Sequence, residues 1–134
     1  MQRTVAIKPF KPAATAKGRH RPEFGEMNKL EAKYAAHLES LRLDGTILWW
    51  KFGALGLSLA KKTWYRPDFM VMLASGEMEI HETKGFWEDD ARVKIKVAAE
   101  LFPFRFVAIQ AKAKKHGGGW SVEVIGDPQP KGAA

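Results

Sequence analysis

The chain has 134 residues, 46% of them hydrophobic and 11% aromatic, enough apolar material for one packed domain and too little chain for two. The absence of cysteine excludes disulfides and thiolate-bound zinc or iron–sulfur centres, so any metal would sit on oxygen or imidazole. Lys and Arg outnumber Asp and Glu by 22 to 15, a net +7 that favours polyanionic partners, nucleic acid above all.

Residues 1–25 hold Arg3, Lys8, Lys11, Lys17, Arg19 and Arg21 against Glu23 alone. With Pro12, Gly18 and Pro22 and no sustained period, this segment reads as a flexible basic arm. It is either a solvated tail or a means of neutralising phosphates, with Arg19 and Arg21 the candidate contacts. No apolar run approaches the roughly 20 residues of a membrane-spanning helix, and the N-terminus lacks an apolar signal region, so the expectation is a soluble, cytoplasmic protein that meets no membrane. The domain proper is expected over 26–126, with 127–134 a loose tail carrying Pro128, Pro130 and Gly132.

From Glu26 to Leu43, Met27, Leu30, Tyr34, Leu38 and Leu41 recur at steps of three and four, one stripe of an α-helix that Gly45 stops. Three strand-like runs follow, Thr46 to Phe52, Tyr65 to Leu73 and Glu77 to Lys84, with Ser75-Gly76 as the turn between the last two, which suggests an antiparallel meander. Asp89 or Asp90 can cap a second helix running to about Phe102, and Pro103 ends it. Phe104 to Gln110 reads as a buried strand, and Trp120 to Ile125, after three glycines, as a last one. The order α, three β, α, β, β predicts a single-domain α/β fold with a mixed sheet flanked by helices, the second helix allowing a parallel crossover.

The run Glu77 to Lys84 is the most informative. On a strand, Met78, Ile80, Glu82 and Lys84 share a face, so two ionisable groups finish an apolar row. A Glu82–Lys84 ion pair at a frayed strand end would account for this by itself. The opposite row, Glu79, His81 and Thr83, is polar and would suit water. Asp68 stands at the start of the preceding strand, and a hairpin centred on Ser75-Gly76 brings it opposite the neighbourhood of Thr83, so that it converges with Glu82. Two such carboxylates repel unless a cation lies between them, and a hard cation such as Mg²⁺ resolves the repulsion. Glu31 falls about 40° from Met27 around the first helix, within the apolar stripe. A carboxylate there needs a partner, which a capping box with Asn28 would supply. His20, His37, His81 and His116 show no metal-ligand spacing.

Pro67-Asp68, then thirteen residues, then Glu82-Thr83-Lys84, downstream of a Glu-bearing helix, resembles the PD-(D/E)xK nuclease superfamily, particularly its small phage-encoded endonucleases related to Holliday-junction resolvases. The resemblance spans roughly residues 26–110. It implies a restriction-endonuclease-like αβββαβ core, here with an extra C-terminal strand, and a Mg²⁺- or Mn²⁺-dependent endodeoxyribonuclease acting on DNA, including branched or junction DNA, in the host cytoplasm if phage-encoded. Asp68, Glu82 and the Thr83 carbonyl would hold the ion. Lys84 would orient or deprotonate the attacking water and offset transition-state charge, and Glu31 would bind a second metal or the water. Lys94 would support the site from the second helix. Lys61, Lys62, Arg92, Lys96, Lys112, Lys114 and Lys115 are candidate phosphate contacts, and Trp87 a stacking platform. Cutting both strands would call for a two-fold homodimer. The rival expectation is a non-catalytic basic DNA-binding or virion-associated protein with a structural acid cluster, and the same residues would also serve an RNA nuclease.

Overall fold

The computed structural model describes residues 26–127. The basic arm with Arg19 and Arg21 and the tail from 128 lie outside the described residues. The first helix, α1 (Lys29–Leu43), starts three residues later than its apolar stripe because Asn28 closes a capping box: its side chain accepts the Glu31 N–H, and Glu31 accepts the Asn28 N–H, each at 2.8 Å. It ends in a Schellman motif. Gly45, at φ +84°, lets its own N–H reach the Arg42 carbonyl and the Thr46 N–H reach that of Leu41.

Five strands form one sheet in the order β1 (Ile47–Phe52), β4 (Phe69–Leu73), β5 (Met78–Lys84), β6 (Arg105–Ala111) and β7 (Trp120–Gly126). All neighbours are antiparallel except β5 and β6, which run parallel because α2 (Asp89–Leu101) carries the chain across between them. The meander and the crossover are as the sequence predicts. The helix N-cap is Glu88 rather than Asp89 or Asp90, with both aspartates instead inside the first turn, where the dipole favours them.

The run Tyr65 to Leu73 is not one strand. Tyr65 ends a separate hairpin, β2 (Leu57–Ala60) with β3 (Thr63–Tyr65), and the chain leaves it through Arg66-Pro67-Asp68 to enter β4. Pro67 explains the break, since it lacks an N–H for a ladder and holds Arg66 extended. The hairpin escapes a sequence reading because its tip, Lys61-Lys62, contains none of the usual turn residues. Lys62 adopts φ +61° without being glycine.

The sheet is covered on both faces. On one, α1 buries Tyr34, Ala35 and Leu38 against Ile47, Phe69, Val71, Val107 and Ile109. On the other, α2 and the hairpin bury Ile95, Ala98, Leu57 and Tyr65 against Ile80 and Phe106. Both faces of β5 are therefore dry, and its polar row, Glu79, His81 and Thr83, is buried beneath α1 instead of facing water. Register places the starts of β4 and β7 and the ends of β1, β5 and β6 at one edge of the domain: Phe52 pairs with Phe69, Lys84 with Gln110 and Ala111 with Trp120. No described helix is long and apolar enough to cross a membrane.

Gly126 closes the other end. A Cβ built there would lie 2.5 Å from the Ala99 Cβ on α2. Gly126→Ala is expected to cost about 1–3 kcal/mol by forcing β7 away from α2, read as a lower urea midpoint at unchanged m-value.

Candidate active site

The floor of the site is Glu82, whose side chain lies on the α2 face of β5 and is buried. Its Oε2 accepts the Tyr65 hydroxyl at 2.7 Å and the Asp68 backbone N–H at 3.2 Å, and its Oε1 lies 3.3 Å from Lys84 Nζ. Burial pushes this carboxyl up to about 7, the charge of Asp68 pushes the same way, and Lys84 and the Tyr65 hydroxyl pull it back. Tyr65 in turn is held well above the ordinary phenol range, first by burial and then by the Glu82 charge. Tyr65 went unnoticed in the sequence because its role depends on the hairpin that aims it.

Asp68 precedes the Phe69–His81 pair and so lies opposite Glu82, one place nearer the turn than the Thr83 position the hairpin count suggests. Its carboxylate nevertheless reaches Thr83. Oδ2 accepts the Thr83 backbone N–H at 2.9 Å and its hydroxyl at 2.8 Å. A residue in a strand turns N–H and C=O to the same edge. The Thr83 carbonyl therefore faces the gap beyond the start of β4 that Asp68 occupies.

Glu31 enters from α1, where the capping box holds one of its oxygens on Asn28. Half-burial raises this carboxyl to about 7 against the pull of the Asn28 N–H, with a hydrogen bond to Asp68 and the Asp68 charge adding to the rise and Lys84 opposing it. The capping role and the proximity to the other acids thus coexist in one side chain. Three carboxyls and Lys84 share one edge of the domain, Glu31 and Asp68 beside Thr83, Glu82 and Lys84 opening towards α2.

On the α2 side lies a cleft of about 320 Å³, walled by the hairpin through Trp64 and Arg66 and by α2 through Glu88, Asp90 and Lys94, with Glu82 and Lys84 inside it. Lys94 stands at this edge of the site. Trp87 does not: it packs against the core under α2 with the Arg92 guanidinium 5.7 Å from its ring centroid, and Arg92 also pairs with Glu123 at 3.1 Å. Trp64, 54% exposed, is the tryptophan at the cleft. Lys61 and Lys62 form the exposed hairpin tip, Lys96 an exposed point on α2, and Lys112, Lys114 and Lys115 the exposed connection from β6 to β7 at the same edge as Lys84.

Beneath α1, the polar row of β5 is fully partnered. Tyr34 Oη lies 2.6 Å from His81 Nδ1, His81 Nε2 lies 3.0 Å from Glu79 Oε1, and Glu79 Oε2 accepts from Arg105 at 3.3 Å. With its proton on Nε2, the imidazole donates to Glu79 and accepts from Tyr34, which satisfies every polar atom of the ring. The hydrogen bond from His81 holds Glu79 below the ordinary carboxylate range.

No family model, curated protein or solved structure matches the chain.

Among the described residues, no three His, Cys, Asp or Glu side chains already converge on one point as metal ligands. The chemistry of the donor set nonetheless suits a hard cation. It consists of oxygen alone, and two of its carboxyls are raised to about 7 by burial and by the neighbouring Asp68, against the pull of Lys84. The same two groups make stability depend on pH. A carboxyl that titrates at about 7 in the fold and at 4.5 when unfolded binds more protons in the native state, so its contribution is full below pH 4.5 and lost as pH rises through about 7. Glu79, held low, titrates below that window. The metal-free protein should lose several degrees of melting temperature between pH 4.5 and about 7, and Glu82→Gln should remove its own share of that fall, leaving the part due to Glu31. A Glu82→Gln profile parallel to wild type would show that the buried acid is not the source.

Proposed function

We propose that the protein is a metal-dependent endodeoxyribonuclease of the PD-(D/E)xK kind, hydrolysing phosphodiester bonds in DNA. The observation that carries the reading is the meeting of Asp68 with Glu82, Thr83 and Lys84 at one sheet edge, brought about by the hairpin-to-β4 break and the β4–β5 register. The chain order α1, β1, β4, β5, α2, β6, with β5 and β6 parallel, supports a restriction-endonuclease-like αβββαβ core in which β2–β3 is an insertion and β7 an addition.

In this reading Asp68, Glu82 and the Thr83 carbonyl hold Mg²⁺ or Mn²⁺, and Glu31 serves a second ion or the attacking water. When bound, the ion supplies Lewis-acid stabilisation of the phosphoryl oxygens and a more acidic water. The chain's own residues do the rest. Lys84, anchored 3.3 Å from Glu82, orients the water in line with the scissile P–O bond and offsets the extra charge of the phosphorane-like transition state. Glu31, beside Asp68, would take the proton the water gives up as its oxygen bonds to phosphorus. The leaving oxygen departs with the bonding pair and is protonated from solvent. Tyr65 and the Asp68 N–H keep Glu82 in one rotamer throughout. Lys94 and the Lys112–Lys115 segment are placed to draw the DNA backbone towards the edge.

Mg²⁺ or Mn²⁺ should raise the melting temperature of the wild type by several degrees and support nicking of supercoiled plasmid. Glu82→Ala should abolish both, and Lys84→Ala should cut the nicking rate by about 100-fold or more while preserving the thermal shift. Cleavage undiminished in purified Glu82→Ala would end the reading. Metal-independent, salt-sensitive DNA retention without cleavage in any divalent ion would favour a non-catalytic DNA-binding protein, and preferential cleavage of RNA would shift the substrate class.

A further inference from the structure

We infer that the cleft between the hairpin and α2 takes a single unstacked nucleotide of a DNA strand, with its base against the Trp64 indole and its phosphate towards Lys84 and Lys94. The inference rests on the nuclease reading and narrows its substrate to DNA that is single-stranded or locally unpaired at the scissile phosphate.

Three observations carry it. The first is the state of Trp64. Neighbouring residues on a strand point to opposite sides, so Tyr65 is buried and Trp64 is left 54% exposed, the largest side chain of the domain kept half in water at the wall of a cleft. Trp64 is not needed for the core, which the hairpin reaches through Leu57, Leu59 and Tyr65. The indole and the Arg66 guanidinium both lie beside Gly56, where a Cβ would stand 3.7 Å and 3.5 Å from their nearest atoms.

The second observation is size. About 320 Å³ is at the small end of ligand cavities, room for one nucleotide unit and far too little for a stacked duplex. The third is the distribution of charge. Lys84, Lys94 and Arg66 attract a phosphate, whereas Glu88 and Asp90 on the α2 wall repel it and can accept hydrogen bonds from exocyclic amines of a base. A cleft meant only for backbone would not carry those two acids. In a duplex both faces of every base are covered and only the edges reach the grooves, so an indole beside the reacting phosphate would find nothing to stack on. A strand whose base is free, or swung out of the helix, presents the flat surface that an exposed tryptophan binds.

The test reads stacking independently of cleavage. The full-length protein, in Ca²⁺ or without divalent ions, is titrated with oligonucleotides carrying a fluorescent purine analogue in a single strand, in a one-base bulge and in a fully paired duplex. Wild type should quench the analogue in the single strand and the bulge but not in the duplex. Trp64→Phe should retain the quench, while Trp64→Ala should lose it and weaken binding by about 5- to 150-fold, with an unchanged far-ultraviolet spectrum and melting temperature showing the fold intact. If Trp64→Ala destabilises the hairpin, Trp64→Leu, which keeps apolar bulk without an aromatic face, should lose the quench in its place. Equal quenching by wild type and both aliphatic variants, or equal quenching of bulge and duplex, would overturn the inference. A full quench in a protein that cuts nothing in Mg²⁺ or Mn²⁺ would sustain the nucleotide cleft and overturn the nuclease reading, so the two failures are separable.

Discussion

The arrangement at the sheet edge depends on one buried carboxylate. Glu82 stands where the alternation of β5 would place an apolar residue, continuing the row of Met78 and Ile80 into the layer beneath α2. Removing its water is costly, and the fold compensates with three donors from three places in the chain: the Tyr65 hydroxyl, the Asp68 N–H and the Lys84 ammonium. Each donor comes with a structural consequence. Tyr65 ties the hairpin to the sheet, the Asp68 N–H fixes where β4 starts, and Lys84 is held at the strand end rather than left to wander in solvent. An apolar residue at this position would cost less to bury and would leave these three elements without a common anchor.

The same strand carries a second polar row on its other face, and the contrast between the two shows what distinguishes a structural network from a reactive one. Tyr34, His81, Glu79 and Arg105 are joined in one line of hydrogen bonds in which the Tyr34 hydroxyl, both His81 nitrogens and both Glu79 oxygens are partnered, and the hydrogen bond from His81 holds Glu79 below the ordinary carboxylate range. At Glu82 and Glu31 burial, helped by the charge of Asp68, outweighs the pull of Lys84, and both carboxyls are driven upwards instead. A satisfied network rigidifies β5 against α1. The cluster a few residues along the same strand keeps its hydrogen bonds but sets Glu31, Asp68 and Glu82 against Lys84, an excess of acid that a proton or a cation relieves. Thr83, in the same buried row, holds Asp68 through its N–H and its hydroxyl.

Much of this was legible in the residues. The helix stripe of α1, the meander, the crossover through α2 and the pairing of Asp68 with the Glu82 strand follow from period and turn chemistry, which act over a few residues. Glu31 shows why two readings of one residue need not compete, since the capping box with Asn28 is present and the same carboxyl still meets Asp68. What could not be read depends on longer-range packing. The hairpin β2–β3 has a Lys-Lys tip in place of Gly or Asn, so its local signal is absent, and with it went the hydrogen bond from Tyr65 to Glu82 and the place of Trp64 at the cleft wall. The polar row of β5 alternates like a solvent-facing row, and only the docking of α1, which brings Tyr34 to His81, makes it interior. Trp87 follows the Glu82 strand closely in sequence, yet the turn into α2 folds it onto the core and leaves the cleft wall to a tryptophan more than twenty residues earlier.

The charge of the protein resolves into a division of labour. Net positive charge is concentrated in residues 1–25, where six cations face one Glu, while the folded domain presents an acidic edge built from Glu31, Asp68 and Glu82. An acidic edge repels a phosphodiester, so under the proposed nuclease reading global basicity by itself would bring DNA to the protein without bringing it to this site. Local attraction has to come from charges placed at the edge: Lys84 and Lys94 at the cleft, Lys112, Lys114 and Lys115 beside it, and a cation among the carboxylates. Lysines alone would hold a phosphate anywhere along the rim, because a flexible ammonium fixes no geometry. Carboxylates tied to backbone N–H groups at 2.9 and 3.2 Å fix geometry well but repel the substrate. In the proposed reading the two requirements, attraction and precision, are met together when a divalent ion occupies the carboxylates, since it would neutralise Asp68 and Glu82 while keeping their positions. In that reading the acid cluster inside so basic a chain is half of a binding site, and the ion would be its other half.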